Sequence, residues 1–222
     1  MIVTIESPDR ANYPQLIDKM YRMRAEVFSG RLGWEVTVTD GRETDCFDDE
    51  DPLYLISLDE TTGSLKGAVR LLPTTGPNML RDVFQILIPE GAPESPLIWE
   101  SSRFAINPGI FQGVDRVMAN HRVNAITLEL LCGIVEVCRK SGIEHIVSVF
   151  DARMARIFRS VDCPFDVIGT PIRIGKTMTY AALFEMSDGM RQRLGQVGGF
   201  DESVLASPGA LAMKLLPQKK VA

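Results

Sequence analysis

The chain has little of what most metal and cofactor enzymes are built from. Its 222 residues include only two histidines, His121 and His145, too few for a histidine-based metal centre. Its four cysteines, Cys46, Cys132, Cys138 and Cys163, form no C-x2-C pair and read as reduced structural thiols. No Ser-His-Asp or Cys-His arrangement suggests itself, and no G-x-G-x-x-G follows the first strand. No run of 18 apolar residues offers a membrane span. The opening MIVTIESPDR lacks a basic segment followed by an apolar stretch, so a cytoplasmic location is expected rather than secretion. Lys plus Arg number 24 against 29 Asp plus Glu, and the net charge of −5 lacks the basic excess usual in nucleic-acid binders. Neither a metal nor a cofactor is expected.

What is present is enough apolar residue, 45%, to fill one core. A single domain over 1–222 is expected, with about 205–222 as a loosely ordered tail. IVTI reads as a short strand, and residues 11–29 as a helix, with Leu16, Met20, Met23 and Val27 on one face. The polar stretch 29–52 is long for a structureless loop, and such loops are often functional. YLISL and GAVRLL read as strands joined by a TTGS turn, and Asn78 as the cap of a helix through about Leu87. LIWESSRFAI is a strand, and 114–140 a helix ended by Gly142. Further on come the strand HIVSVF, a helix over 152–160, two more strands, and a short helix at SDGMRQRL. The order predicts an α/β (α+β mixed) protein with a central mixed sheet and helices on its faces.

Two charges sit where strand interiors are expected: Arg70 in GAVRLL and Glu100 in LIWESSRFAI. A buried charge costs several kcal/mol unless it is paired, so both need partners. Arg24, Asp45, Asp48 and Arg103 are the available ones.

Read together, these residues form an ordered pattern: Arg24-x3-Phe28-x5-Trp34, Asp45-x2-Asp48, Arg70-Leu71-Leu72-Pro73, Phe84, and Glu100-Ser101-Ser102-Arg103. The pattern resembles that of the acyl-homoserine-lactone synthases, the autoinducer synthases of bacterial quorum sensing. It covers roughly the first half of the chain. The resemblance implies a GCN5-type N-acyltransferase-like fold with a twisted sheet. It also implies a reaction: the amine of S-adenosylmethionine attacks an acyl thioester of acyl carrier protein or coenzyme A. The carboxylate of S-adenosylmethionine then closes a lactone and expels methylthioadenosine. S-adenosylmethionine is thus a substrate, not a cofactor.

On this reading Glu100 is the candidate base, with Arg103 as its catalytic neighbour. An α-amino group titrates near 7.7–8.0, so a modest base suffices. Asp45 and Asp48 suit the cationic side of the substrate, and Arg24, Arg70 or Arg103 its carboxylate. Phe28, Trp34 and Phe104 are the candidate adenine platform, with Ser102 beside them, and Phe84 reads as scaffold on a helix. Backbone N–H groups of 101–106 are the expected oxyanion donors. On a regular strand Glu100 and Arg103 point to opposite faces, so both can serve one site only if the strand bulges near Ser101–Ser102. Ile98, Val147, Ser148, Val149 and Phe150, with Leu131 and Ile134 nearby, are the candidate acyl slot. The family places a Thr on this later strand in users of 3-oxo donors; this chain has none there. Arg153, Arg156 and Arg159 recur every three residues, near Arg139 and Lys140, and would steer an acidic carrier protein.

The alternative is an N-acetyltransferase using acetyl-CoA. NPGIFQGVDR has Gly109 and Gly113 without the Q/R-x-x-G-x-G/A spacing that cradles a pyrophosphate, and this favours a carrier-protein donor. A ligand sensor on the same fold would be expected to lose Glu100 or the arginines. A methyltransferase is set aside by the missing glycine motif.

Overall fold

The computed structural model describes residues 1–207. The chain begins with β1 (Ile2–Ile5) and a 3-10 turn over Ser7–Asn12. The expected helix 11–29 is shorter and in two parts: α1 (Pro14–Ala25) starts at a proline, which tolerates the first turn, and then widens into a π-helical turn over Glu26–Arg31. The polar stretch holds a small hairpin, β2 (Val38–Thr39) and β3 (Arg42–Glu43), turned at Asp40 and Gly41, which both have positive φ. A 3-10 turn over Cys46–Asp49 follows.

Next come β4 (Leu53–Leu58) and β5 (Leu65–Pro73), then α2 (Met79–Asp82). The Asn78 side chain caps α2 by accepting from the Arg81 N–H at 3.0 Å, as its sequence position predicts. The expected continuation to Leu87 fails. Leu87 and Ile88 turn inward while Val83 and Ile86 stay exposed, so the chain leaves helical register and only a 3-10 turn, Gln85–Leu87, remains. Phe84 lies between these turns, half-buried, and not on a helix.

The remaining elements are β6 (Ile98–Ile106), α3 (Arg116–Ser141), β7 (His145–Asp151), α4 (Ala152–Ser160), β8 (Asp166–Ile174), β9 (Thr177–Glu185) and α5 (Asp188–Gly198). Seven strands form one sheet in the order β1-β4-β5-β6-β7-β9-β8. Only β6 and β7 pair in parallel, joined by α3 as the crossover. Alternation along the strands sorts the core onto two faces. Leu55, Val69, Leu71, Ile146 and Phe184 pack under α3, α4 and α5. Val3, Ile5, Tyr54, Ile56 and Ala68 pack under α1. A third cluster continues the α1 face past α2, with Leu80, Leu87, Ile88, Val147 and Ala181.

Leu205, expected to open a loose tail, instead bridges to Ile2, and the Ala206 N–H donates to the Ile2 carbonyl at 2.7 Å. The rest of that expected tail, residues 208–222, lies outside the described residues. Among the described residues no helix is long and apolar enough to cross a membrane. Cys132, Cys138 and Cys163 are buried free thiols, and burial raises them to about 11, about 12 and about 12; Cys46 is exposed.

Two irregularities interrupt the sheet around β6. Ala68 faces Ala105 and Arg70 faces Ser102, so Val69 alone opposes Arg103 and Phe104. That is a β-bulge, with Arg103 in the left-handed region at φ 54°. The parallel ladder between β6 and β7 runs from Ile98–His145 to Ser101–Ser148 and stops there, although both strands continue.

Candidate active site

The bulge solves the orientation problem posed by the sequence. It re-aims Arg103 to the α1 face, where Arg70 and Ser102 already point. Normal alternation resumes beyond it, which turns Phe104 toward the core under α3. Phe104 is therefore not part of the adenine platform expected from the sequence.

The D-x2-D spacing is first a piece of backbone engineering. Asp45 and Asp48 form a capping box at the ends of the Cys46–Asp49 turn: Asp45 accepts from the Phe47 N–H at 3.0 Å, and Asp48 from the Asp45 N–H at 2.9 Å. The turn fixes both carboxylates, and their free lone pairs meet the arginines. Arg24, on the last turn of α1, makes a bidentate pair with Asp48 at 2.8 and 2.9 Å and reaches Glu43 through Nε at 2.5 Å. Arg70 donates from Nη2 to Asp45 at 3.0 Å and from Nη1 to Asp45 and to Asp48, the latter at 2.9 Å; its Nε donates to Ser102 Oγ at 3.1 Å. Arg103 donates to Glu43 at 2.9 Å and to Asp45 at 2.7 Å.

Three arginines thus interlock with three carboxylates, and the cluster is neutral. Arg24, Arg70 and Glu43 are almost wholly out of solvent. Burial opposes charge on Arg24 and Arg70, but the acids around them outweigh it and raise both. Burial likewise opposes Asp48, yet Arg24, Arg70 and Tyr54 hold its carboxyl well below the usual range. The Tyr54 hydroxyl donates to Asp48 at 2.7 Å and lies 3.2 Å from the Tyr21 hydroxyl. Arg10 completes the support: its Nη1 donates to the Asp48 carbonyl at 2.7 Å, with its guanidinium over the Tyr54 ring.

Phe28 and Trp34 flank the cluster. The π turn buries Phe28, and the Trp34 ring stacks on it at 5.2 Å and 13° while staying 45% exposed. The Arg103 guanidinium also lies over Phe28, 5.4 Å from the ring centroid. Glu100 is buried. One oxygen accepts from the Met79 N–H at 3.1 Å and the other from the Leu80 N–H at 2.7 Å. Burial raises its carboxyl, opposed by those two amides, by the charge of Arg70 and by Ser102.

The residues expected to line one acyl slot fall on both sides of the β6–β7 divergence. Ile98, Val147 and Val149 join the third apolar cluster. Ser148 donates to the Ser101 carbonyl at 2.8 Å, at the point where the ladder ends. Phe150 faces the other way, in a nest of rings with Phe158, Phe165, Tyr180 and Phe184. Leu131 and Ile134 lie in the core under α3. Arg153, Arg156 and Arg159 are exposed on α4, and Arg159 also stacks over Phe165 at 5.3 Å. Partial burial, then the charge of Arg153, hold Arg31 below the usual arginine range, so the basic strip extends to the π turn. Arg139 is not part of it, being paired with Asp188 at 2.9 and 2.7 Å.

Sequence reasoning missed Glu43, Tyr54, Met79 and Arg10. A Tyr in YLISL reads as ordinary core. Glu43 follows the Asp40–Gly41 turn signal, which could have placed it on a hairpin but not against Arg24. Among the described residues no group of three or more His, Cys, Asp or Glu could hold a metal ion; the carboxylates of the cluster are saturated by guanidinium.

Comparison with known proteins gives the family and the fold. The family model described as autoinducer synthase matches residues 10–194. An acyl-homoserine-lactone synthase of Agrobacterium fabrum (strain C58) is 35% identical over 182 residues, covering 81% of this chain and 83% of its own. Among solved structures, the CoA-dependent acyl-homoserine lactone synthase BjaI, with SAM and isopentyl-CoA, superposes with a TM-score of 0.79 at 27% identity, covering 96% of this chain and 98% of its own. The AHL synthase LasI superposes with a TM-score of 0.74 at 28% identity, covering 87% and 93%.

Proposed function

The chain belongs to the autoinducer synthase family, and from that premise we propose how its site carries out the reaction. The protein is an acyl-homoserine-lactone synthase. It transfers an acyl group from a thioester of acyl carrier protein or coenzyme A to the amine of S-adenosylmethionine, closes the lactone and releases methylthioadenosine.

One observation carries the assignment of roles. Every guanidinium nitrogen of Arg24 and Arg70 has an oxygen partner, as do Nε and Nη2 of Arg103, whereas among the described residues Arg103 Nη1 meets only the Met79 thioether at 3.3 Å. Sulfur is a weak acceptor. Arg103 Nη1 is therefore the seat for the substrate carboxylate, and Arg24 and Arg70 hold the acids in place. Trp34, stacked on Phe28 and half in solvent, offers the adenine a surface. The amine then lies toward Glu100, whose raised pKa suits it to take a proton from an ammonium near 7.7–8.0. The thioester enters where β6 and β7 part, with backbone N–H groups beyond Ser101 facing the developing oxyanion. Lactone closure is intramolecular and expels a sulfonium leaving group, so positioning supplies most of what it needs. No cofactor takes part, and we place the reaction in the cytoplasm.

The test is methylthioadenosine release by purified protein, with mass spectrometry of the lactone. Release is expected only when S-adenosylmethionine and an acyl thioester are both present. Acylation of a lysine peptide from acetyl-CoA without methylthioadenosine would overturn the reading. Arg103→Lys is expected to raise the KM for S-adenosylmethionine at least tenfold, because a point charge replaces a planar fork; an unchanged KM would move the carboxylate seat elsewhere.

A further inference from the structure

Met79 touches both residues on which the reaction turns. Its N–H donates to Glu100 at 3.1 Å and its sulfur accepts from Arg103 Nη1 at 3.3 Å. It is half-buried at the first position of α2, whereas Met20, Met23, Met186 and Met190 are buried in the core. A leucine would fill the same volume, so packing alone does not call for a thioether there. What the sulfur adds is an acceptor weak enough to be replaced.

We propose that Met79 is a positioning residue and the oxidation-sensitive element of this site: its thioether holds Arg103 toward the substrate and yields to the substrate carboxylate, whereas its sulfoxide yields less readily. The inference rests on the assignment of Arg103 Nη1 as the carboxylate seat. A guanidinium held by sulfur keeps its orientation at little cost, and exchanging a sulfur for a carboxylate oxygen gains a charge-assisted hydrogen bond. Oxidation by a peroxide weakens that preference. The sulfur lone pair attacks the peroxide, the O–O bond breaks, one oxygen becomes the sulfoxide and the other leaves as water or alcohol. The sulfoxide oxygen is a strong acceptor already in reach of Nη1, and it competes with the substrate.

The experiment compares wild type, Met79→Leu and Arg103→Lys before and after brief hydrogen peroxide treatment, quenched with catalase before assay. Peptide mass spectrometry measures sulfoxide at Met79, and methylthioadenosine release gives kinetics. In wild type, sulfoxide at Met79 is expected to raise the KM for S-adenosylmethionine about tenfold, with little change in the KM for the acyl thioester, and methionine sulfoxide reductase is expected to restore it. Met79→Leu is expected to lower that KM severalfold, through loss of the competing acceptor, to lower kcat, and to show no peroxide response in KM. An equal peroxide response in Met79→Leu, or full sulfoxide at Met79 with an unchanged KM, overturns the proposal. An unchanged KM in Arg103→Lys overturns the underlying seat instead, so the two failures are told apart.

Discussion

Replacing Asp48 with asparagine tests the neutral cluster where it is most connected. The Asp48 side chain accepts from Arg24 twice, from Arg70, from Tyr54 and from the Asp45 N–H. Asparagine keeps the shape but turns one oxygen into a donor that faces a guanidinium. It also leaves three arginines with two carboxylates, an unbalanced positive charge beside the buried Arg24 and Arg70. Removing one partner of a buried pair costs about 3–5 kcal/mol. For a domain of this size each kcal/mol lowers the midpoint by about 2–4 °C, so the variant is expected to melt about 6–20 °C lower. Calorimetry or circular dichroism at neutral pH measures this. A double variant, Asp48→Asn with Arg24→Gln, restores neutrality and is expected to recover at least about 1 kcal/mol relative to the sum of the single effects. A melting point within about 2 °C of wild type, or strict additivity in the cycle, would refute the reasoning.

Further outcomes are expected from other parts of the molecule. Glu100→Gln is expected to lower kcat by at least about a hundredfold while the protein stays folded. Since the Glu100 carboxyl is raised, it contributes stability that is present below its ordinary value of 4.5 and lost as pH rises toward the folded value, so the variant should flatten that part of the stability–pH curve; full activity would exclude it as the base. Asp48 has the opposite sign, contributing stability above 3.8 that is lost as pH falls below it, and its asparagine variant should lose that acid sensitivity in melting experiments. Arg156→Glu with Arg159→Glu is expected to raise the KM for acyl carrier protein and weaken its salt dependence while leaving that for S-adenosylmethionine in place; an unchanged carrier KM at low salt places docking elsewhere. Gly169→Ala should be strongly destabilising, because φ there is +64° and a Cβ would stand 2.0 Å from the Leu87 carbonyl oxygen; a wild-type midpoint would show that this irregular part of β8 and the Gln85–Leu87 turn repack freely.

The seven strands of the main sheet, α3 and α4 were legible because apolar residues recur along them at strand or helix period, whereas the β2–β3 hairpin in the polar stretch was not. The charged cluster was legible because Arg70 breaks that periodicity, and a charge inside a strand pattern announces a partner; Glu100 breaks it too, but its hydrogen-bond partners are the Met79 and Leu80 amides, not the charged residues expected. The need for a bulge and its approximate place, near Ser101–Ser102, could be argued from alternation alone; the structure puts it at Arg103–Phe104, and its side effect of sending Phe104 away was not foreseen. Glu43 and Met79 stayed hidden because an exposed acid in a polar loop and a buried acid on a hairpin look the same in sequence. A methionine after a capping asparagine likewise looks like ordinary helix. The single slot drawn through Ser148 and Phe150 failed on the same period-two rule that located the strand.

The early end of the β6–β7 ladder has a consequence for the molecule as a whole. Only four paired positions make up the ladder between the half-sheet ending in β6 and the half-sheet beginning with β7, with the Ser148 hydroxyl bonded to the Ser101 carbonyl at its end. The protein is therefore two plates meeting along a partial seam, and a thioester arm with its own amide groups can lie in the open part as a temporary strand. A donor bound in this way would complete the sheet as well as deliver the acyl group. Amide hydrogen exchange beyond Ser101 and Ser148 should slow when the donor binds, and the seam should reopen as the spent donor leaves.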